Sequence, residues 1–272
     1  MAITTRDQLI DALGNRSSRI VWDKANIANA VAGQLFSLWR ATGTPGQGAI
    51  PGAAAIATSA LTGAMGFTNQ TLPVTSYYAW QTVATSNNAT SIEVHDRLAH
   101  MGGLNGTLLT AQTVGVDLST LGLVAARRGD ANYSDCQFWL EWYTDTGATA
   151  SNATVNVTYD DASTGNLAVI AVGGTVRAGR MIPLVSAVAG RFIRGVNTIT
   201  LSASTATAGS FGVTATRPRT TVNSNIANKY EQFDWAQLGL PIIPNDSCLQ
   251  MVMLCSTTST GTVRGQGKIA HG

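Results

Sequence analysis

From residue 107 onward the chain is a series of short runs in which apolar and polar residues alternate, with glycine, asparagine, aspartate and serine standing between them. A period of two puts every second side chain on one face of an extended strand, and it cannot be satisfied by a helix. In DCQFWLEWYTD (135–145), Phe138, Leu140 and Trp142 fall on one face, and Trp139 and Tyr143 on the other. TVNVTYD (154–160) alternates Val155, Val157 and Tyr159 with polar residues. NTITLSAS (197–204), GSFGVTAT (209–216), CLQMVMLCS (248–256) and TVRGQGKIA (262–270) follow the same rule. Short strands between turn residues predict an antiparallel β-sandwich or barrel-like body over 107–272.

Residues 1–106 read differently, as a region with short helices. TTRDQLIDALG (4–14) has Thr5 and Gln8 spaced as a capping box, with Gly14 as a stop. Over 23–42, Ile27, Val31, Leu35 and Leu38 form an apolar stripe at helical spacing behind a capping Asp23. Residues 43–67 are rich in glycine, proline and alanine, and Pro45 and Pro51 rule out regular structure at their start. They are too apolar for a solvated linker and read as an arm ordered only against another subunit. The fold class expected is mainly β, with a helix-containing N-terminal region that makes it α+β overall.

The stretch VHDRLAHMGG (94–103) holds two of the three histidines, His95 and His100, with Asp96 and Arg97 between them. Its local signals predict a helix over 91–101. Thr90 and Glu93 match a capping box, Val94, Leu98 and Met101 lie at i, i+4, i+7, and Gly102–Gly103 supply a stop. On such a helix the histidines project about 140° apart, so they cannot share a metal ion. No Gly-x-Ser-x-Gly elbow, zincin helix or phosphate loop occurs; Gly265-Gln266-Gly267-Lys268 lacks the following Ser/Thr. The three cysteines have no zinc spacing. No catalytic set, cofactor or metal is expected.

Charged residues make up only 12% of the chain, with a net charge of +2, while alanine, threonine, glycine, serine and asparagine are abundant. Short side chains lose little rotamer entropy when a neighbour covers them, so this composition suits a surface packed against other subunits. The small net charge argues against direct nucleic-acid binding. No secretory leader or membrane-length apolar run is visible, so the chain is expected to be soluble and made in a reducing cytoplasm. One concentration of charge stands out. Residues 151–220 carry Arg177, Arg180, Arg191, Arg194, Arg217 and Arg219 against Asp160 and Asp161 alone. Arginine suits bidentate pairing with carboxylates, so these six, with Pro45 and Pro51 of the arm, are the candidate interface residues.

The strings WDKANIANAVAGQLFSLWRATGTPGQGAIPG and IEVHDRLAHMGGLNGTLLTAQTV, followed by the Thr/Gly-rich β half, resemble structural proteins of tailed bacteriophages, in particular head decoration or cement proteins. The resemblance implies a virion protein that binds the major capsid protein on the assembled shell and associates with itself, often as a trimer. It carries no functional residues over. A tail tube, baseplate or fibre component is the second reading. A hydrolase or carbohydrate-binding module using Trp139, Trp142 and Tyr143 is a third, from another class.

Overall fold

The structure is a computed structural model, and it describes residues 3–25, 30–258 and 261–272. The elements, in chain order, are α1 (Arg6–Asn15), β1 (Ser17–Lys24), β2 (Leu35–Ser37), β3 (Gly43–Thr44), β4 (Ala55–Ile56), β5 (Ser76–Thr85), β6 (Thr90–Leu104) and β7 (Gln112–Asp117). There follow α2 (Ala125–Arg128), β8 (Gln137–Thr144), β9 (Ala150–Tyr159), β10 (Thr164–Asn166), β11 (Ile170–Gly173), β12 (Arg180–Leu184) and β13 (Ile193–Leu201). The last are β14 (Ser210–Ser224), β15 (Glu231–Phe233), α3 (Trp235–Leu238), β16 (Leu249–Cys255) and β17 (Val263–His271). The protein is mainly β, with antiparallel sheets that include a closed six-strand barrel, and few helices.

The chain divides into two compact units. The first comprises residues 1–48, 58–96 and 219–272; the second comprises 49–57 and 97–218. The long strands β6 and β14 pass from one into the other. In the first unit, a five-stranded sheet runs β15-β5-β17-β1-β3, and β16 pairs with both β2 and β6. Its core holds Ile20, Trp22, Phe36, Tyr78, Val94, Met251 and Ile269, among others. In the second unit, one sheet runs β10-β9-β13-β7, and β8 lies between β12 and β14. Phe138, Leu140, Trp142, Val155, Val157 and Tyr159, the inward faces read from the alternation, are buried together there. Trp142 stacks on Phe211 at a centroid separation of 5.6 Å.

The helix expected at 4–14 is α1, and both arms of its capping box form between Thr5 and Gln8. It ends at Asn15, so Gly14 lies in its last turn.

Two other expected helices are strands. The stretch 23–42 begins in β1 and contains β2, while 26–29, with Ile27, lies outside the described residues. Val31, on the supposed apolar stripe, is exposed. The signal that prevails starts upstream: Ile20, Trp22 and Lys24 face inward, Arg19, Val21 and Asp23 outward. The stretch 91–101 lies wholly within β6, which pairs with β16 from Asp96 back to Thr90. Ile92, Val94, Asp96 and Leu98 share a face, and the buried aspartate breaks what would otherwise be a legible apolar alternation. The Thr90 hydroxyl donates to the Leu254 carbonyl instead of capping a helix, with a donor–acceptor separation of 2.5 Å.

Residues 43–67 are not a free arm. Gly43–Thr44 pairs with Lys24 and Asp23, and Ala55–Ile56 pairs with His100 and Ala99. Lys24 Nζ donates to the carbonyls of Ala41, Pro45 and Gly46 at 3.1, 2.6 and 3.2 Å. Gly48 and Gly63 lie so close to the Trp39 ring that a Cβ at either would overlap it. These two glycines allow close approach to an indole.

Candidate functional site

The stretch singled out by its histidines becomes two separate groupings. In the first unit, His95 Nε2 lies 2.6 Å from Glu93 Oε2, two residues back on the same strand face. Asp96 accepts from the Cys248 amide at 2.9 Å through one oxygen and pairs with Arg219 at 3.2 Å through the other.

In the second unit, Arg97 is the centre of a buried network. Its guanidinium contacts Glu141 Oε2 at 2.7 Å, donates through Nε to His100 Nδ1 at 2.8 Å, and donates through Nη2 to the Tyr143 hydroxyl at 2.8 Å. Thr214 donates its hydroxyl to the same glutamate oxygen. Arg127 donates to the carbonyls of Ala57 and Arg97 at 2.7 and 2.9 Å. Arg97 and Glu141 have no accessible surface at all. Because His100 Nδ1 accepts from a permanently charged arginine, its own proton sits on Nε2. Burial, reinforced by the Arg97 charge, pushes the His100 pKa down to about 3. Burial likewise raises the Tyr143 phenol well above its ordinary value.

This arrangement can hold a fold together, but it cannot reach a solute. A general acid or base must come within hydrogen-bond distance of a substrate, and these groups are spent on one another. Removing one member would strand a buried charge at a cost of about 3–5 kcal/mol. Among the described residues, no group of three or more His, Cys, Asp or Glu side chains is arranged to hold a metal ion. Cys136, Cys248 and Cys255 are not joined to one another by disulfides.

The six candidate arginines are divided between the two units. Arg219 belongs to the first unit and the other five to the second. All six are half-buried, and five pair with aspartates of the same chain. Arg177 meets Asp145 at 2.9 Å, Arg194 meets Asp117 at 3.1 Å, and Arg217 meets Asp135 at 2.6 Å. Arg191 spans Asp160 at 3.4 Å and Asp161 at 2.7 Å, and Arg219 takes Asp96. Arg180 opens β12. Four of the aspartates, Asp96, Asp117, Asp135 and Asp145, lie outside the 151–220 window, which is why that window looked strongly basic. Pro45 and Pro51 are also used within the chain: their carbonyls accept from Lys24 Nζ and from the Gly102 amide, the latter at 2.8 Å.

Trp139 and Tyr143, offered as sugar-stacking aromatics, are buried with Trp142. Trp139 Nε1 donates to the Thr216 hydroxyl at 2.8 Å. The alternation on β8 thus reports two covered faces.

What sequence reasoning missed is the outer face of the five-stranded sheet. A groove of about 420 Å³ lies there, lined by Arg19, Val21 and Asp23 of β1, Arg264 and Gln266 of β17, and Tyr230. Residue types in SSRIVWDK do not announce it, because Ile20, Val21 and Trp22 are consecutive apolar residues and the alternation is one of burial alone.

No protein-family model matches this chain, and no curated protein matches it. Among solved structures, the chain is weakly similar to the VP2 subviral particle of infectious bursal disease virus, at 12% identity over 93% of this chain and 80% of that one, with a TM-score of 0.19. A structure of the Gt strain of the same virus aligns at 11% identity over 93% and 80%, with a TM-score of 0.18. Overlaps of this quality carry no argument about architecture or role.

Proposed function

We propose that this chain is a non-enzymatic structural protein of a virion, which binds the major capsid protein on an assembled phage shell and stabilises it as a decoration or cement protein. One observation carries the reading: the surface chemistry is that of a contact protein. With charged residues at 12%, and with arginines already neutralised by aspartates of the same chain, a neighbour can cover this surface without stripping water from many lone ions. The resemblance of residues 22–52 and 92–114 to phage head proteins points the same way. Self-association, as a trimer or another small oligomer, belongs to the same reading. No helix among the described residues is long and apolar enough to cross a membrane.

The test is co-sedimentation of the purified chain with capsids that lack it, over a salt series. Saturable binding supports the role; absence of binding at every salt overturns it. Arg191→Ala with Arg194→Ala leaves Asp117, Asp160 and Asp161 uncompensated, and high salt acts on the same rim charges. The double replacement is therefore expected to weaken binding with the fold intact by circular dichroism. Unchanged binding would confine adhesion to uncharged surface.

A further inference from the structure

The five-stranded sheet of the first unit ends in an incomplete edge. Strand β1 pairs with β17 along its whole length, from Ser17 against Ala270 to Lys24 against Val263. On its other side, among the described residues, only β3 pairs with it, at Asp23 and Lys24. Main-chain groups of an antiparallel strand point to its two neighbours in alternation. The Arg16 carbonyl accepts from the His271 amide, which sets the even-numbered residues of β1 toward β17. The Ala25 amide donates to Thr42, on the β3 side, in agreement. Arg19 and Val21 therefore turn their N–H and C=O groups to the uncovered side, and no hydrogen bond within the chain uses them among the described residues. Both residues are exposed, Val21 at 43%.

The slot has two ends. Thr44 of β3 closes it at Asp23, and the Thr68 amide closes it at Ser18, donating to the Ser18 hydroxyl at 3.3 Å. Between them about three residues of an extended segment pair, at roughly 3.4 Å per residue, and the ends of a longer segment must turn out of the slot. Two full residues of edge offer four main-chain hydrogen bonds. The side chains of Arg19 and Val21 rise from this edge into the groove beside Tyr230. Asp23, the acid on this face of β1, is engaged by Arg264 at 3.1 Å. Arg19 has no acidic partner among the described residues. A strand laid on this edge with a carboxylate next to Arg19 would complete both the main-chain ladder and the charge pairing.

We infer that the free edge of β1 at Arg19–Val21 is a strand-addition site for an extended, acidic segment of a partner chain. A second copy of this chain pairing β1 to β1 about Ile20 would bring Ser17 of one copy to the place that Thr44 of the other fills, so the partner is a different segment. Exposed strand edges are commonly blunted by a charged residue that forbids pairing, and the test separates that role from this one.

The probes are two acetylated, amidated pentapeptides, TVEVT and TVKVT, titrated to millimolar concentration against the isotope-labelled chain and followed by amide NMR shifts. The expected result is saturable movement of the Arg19 and Val21 amides with TVEVT and binding a few-fold weaker with TVKVT. Val21→Pro deletes a free N–H while sparing the ladder to β17, and is expected to abolish the shifts. Arg19→Glu is expected to invert the preference, so that TVKVT binds better; it keeps the inference testable should the proline variant not fold. Absence of shifts at Arg19 and Val21 with either peptide, or a preference that Arg19→Glu does not change, overturns it. None of these outcomes depends on whether the chain binds a shell.

Discussion

His100 and Lys24 both ionise well below their ordinary range because of where they sit, and each gives a pH dependence of definite sign. The His100 pKa falls from 6.5 to about 3 in the folded chain. Its neutral form is the one the Arg97 network accepts, so its contribution to stability is complete above 6.5 and is lost as pH falls toward 3. A shift of that size is worth about 5 kcal/mol. His100→Gln keeps an acceptor for Arg97 and cannot titrate, so urea unfolding from pH 7 to 4 should show the wild type losing stability that the variant does not lose. Parallel curves would contradict the buried, neutral assignment. Lys24 is depressed by burial from 10.5 to about 8. Its folded form sheds a proton more readily than the unfolded chain, so wild-type stability should rise relative to Lys24→Met as pH climbs from about 8 toward 10.5. A flat difference across that window would show that the three carbonyls around Nζ offset the burial in full. The sequence marked His100 only as half of a histidine pair and did not mark Lys24 at all. A histidine between Ala99 and Met101 and a lysine after an aspartate do not announce their burial until distant strands close over them.

At the scale of the element, glycines test the strand assignments. A Cβ on Gly212 in β14 would lie 1.8 Å from the Met101 carbonyl oxygen of β6. No rotamer relieves such a contact, since it is main chain against Cβ, so Gly212→Ala should destabilise by more than about 2 kcal/mol. Gly14, in the last turn of α1, meets nothing within 4 Å and has no left-handed backbone. There Gly14→Ala should stabilise by about 0.5–1 kcal/mol through helix propensity. Thermal unfolding of the two variants checks both, and a tolerated Gly212→Ala would place β14 wrongly against β6. The β half was legible because it obeys a period of two with apolar residues on one face. Strand β6 was not, because Asp96, Arg97 and His100 occupy buried positions and leave a residue pattern that satisfies i, i+4, i+7 by coincidence. What covers them is β16 for Asp96, the carboxylate of Glu141 for Arg97 and β4 for His100, partners that a local window does not contain. Residues 43–67 were misread for a related reason. Their glycines and prolines were read as forbidding a self-sufficient element, whereas Gly48 and Gly63 clasp Trp39. Limited proteolysis should accordingly spare 43–48 in the free chain, and rapid cleavage there would show the Lys24 and Trp39 anchors to be weak.

For the whole molecule, the low share of charge is the feature the proposed role rests on, and the arginine cluster looks different in space than along the sequence. Counting charge along a window sums residues that the fold pairs with acids elsewhere, so a local +4 in sequence becomes a set of neutral ion pairs in space. The small share of charge is a property of the whole surface and survives folding unchanged. It underlies the proposed role: a chain that stays on a shell by covering area, with many contacts of modest strength acting together. Electron cryomicroscopy of capsids lacking this chain, before and after addition of the purified protein, tests that role most directly. The account predicts new density of the size of this chain at symmetry-related positions on the outer surface of the head, contacting more than one shell subunit. Unchanged shells, or density confined to the tail of complete particles, would contradict it.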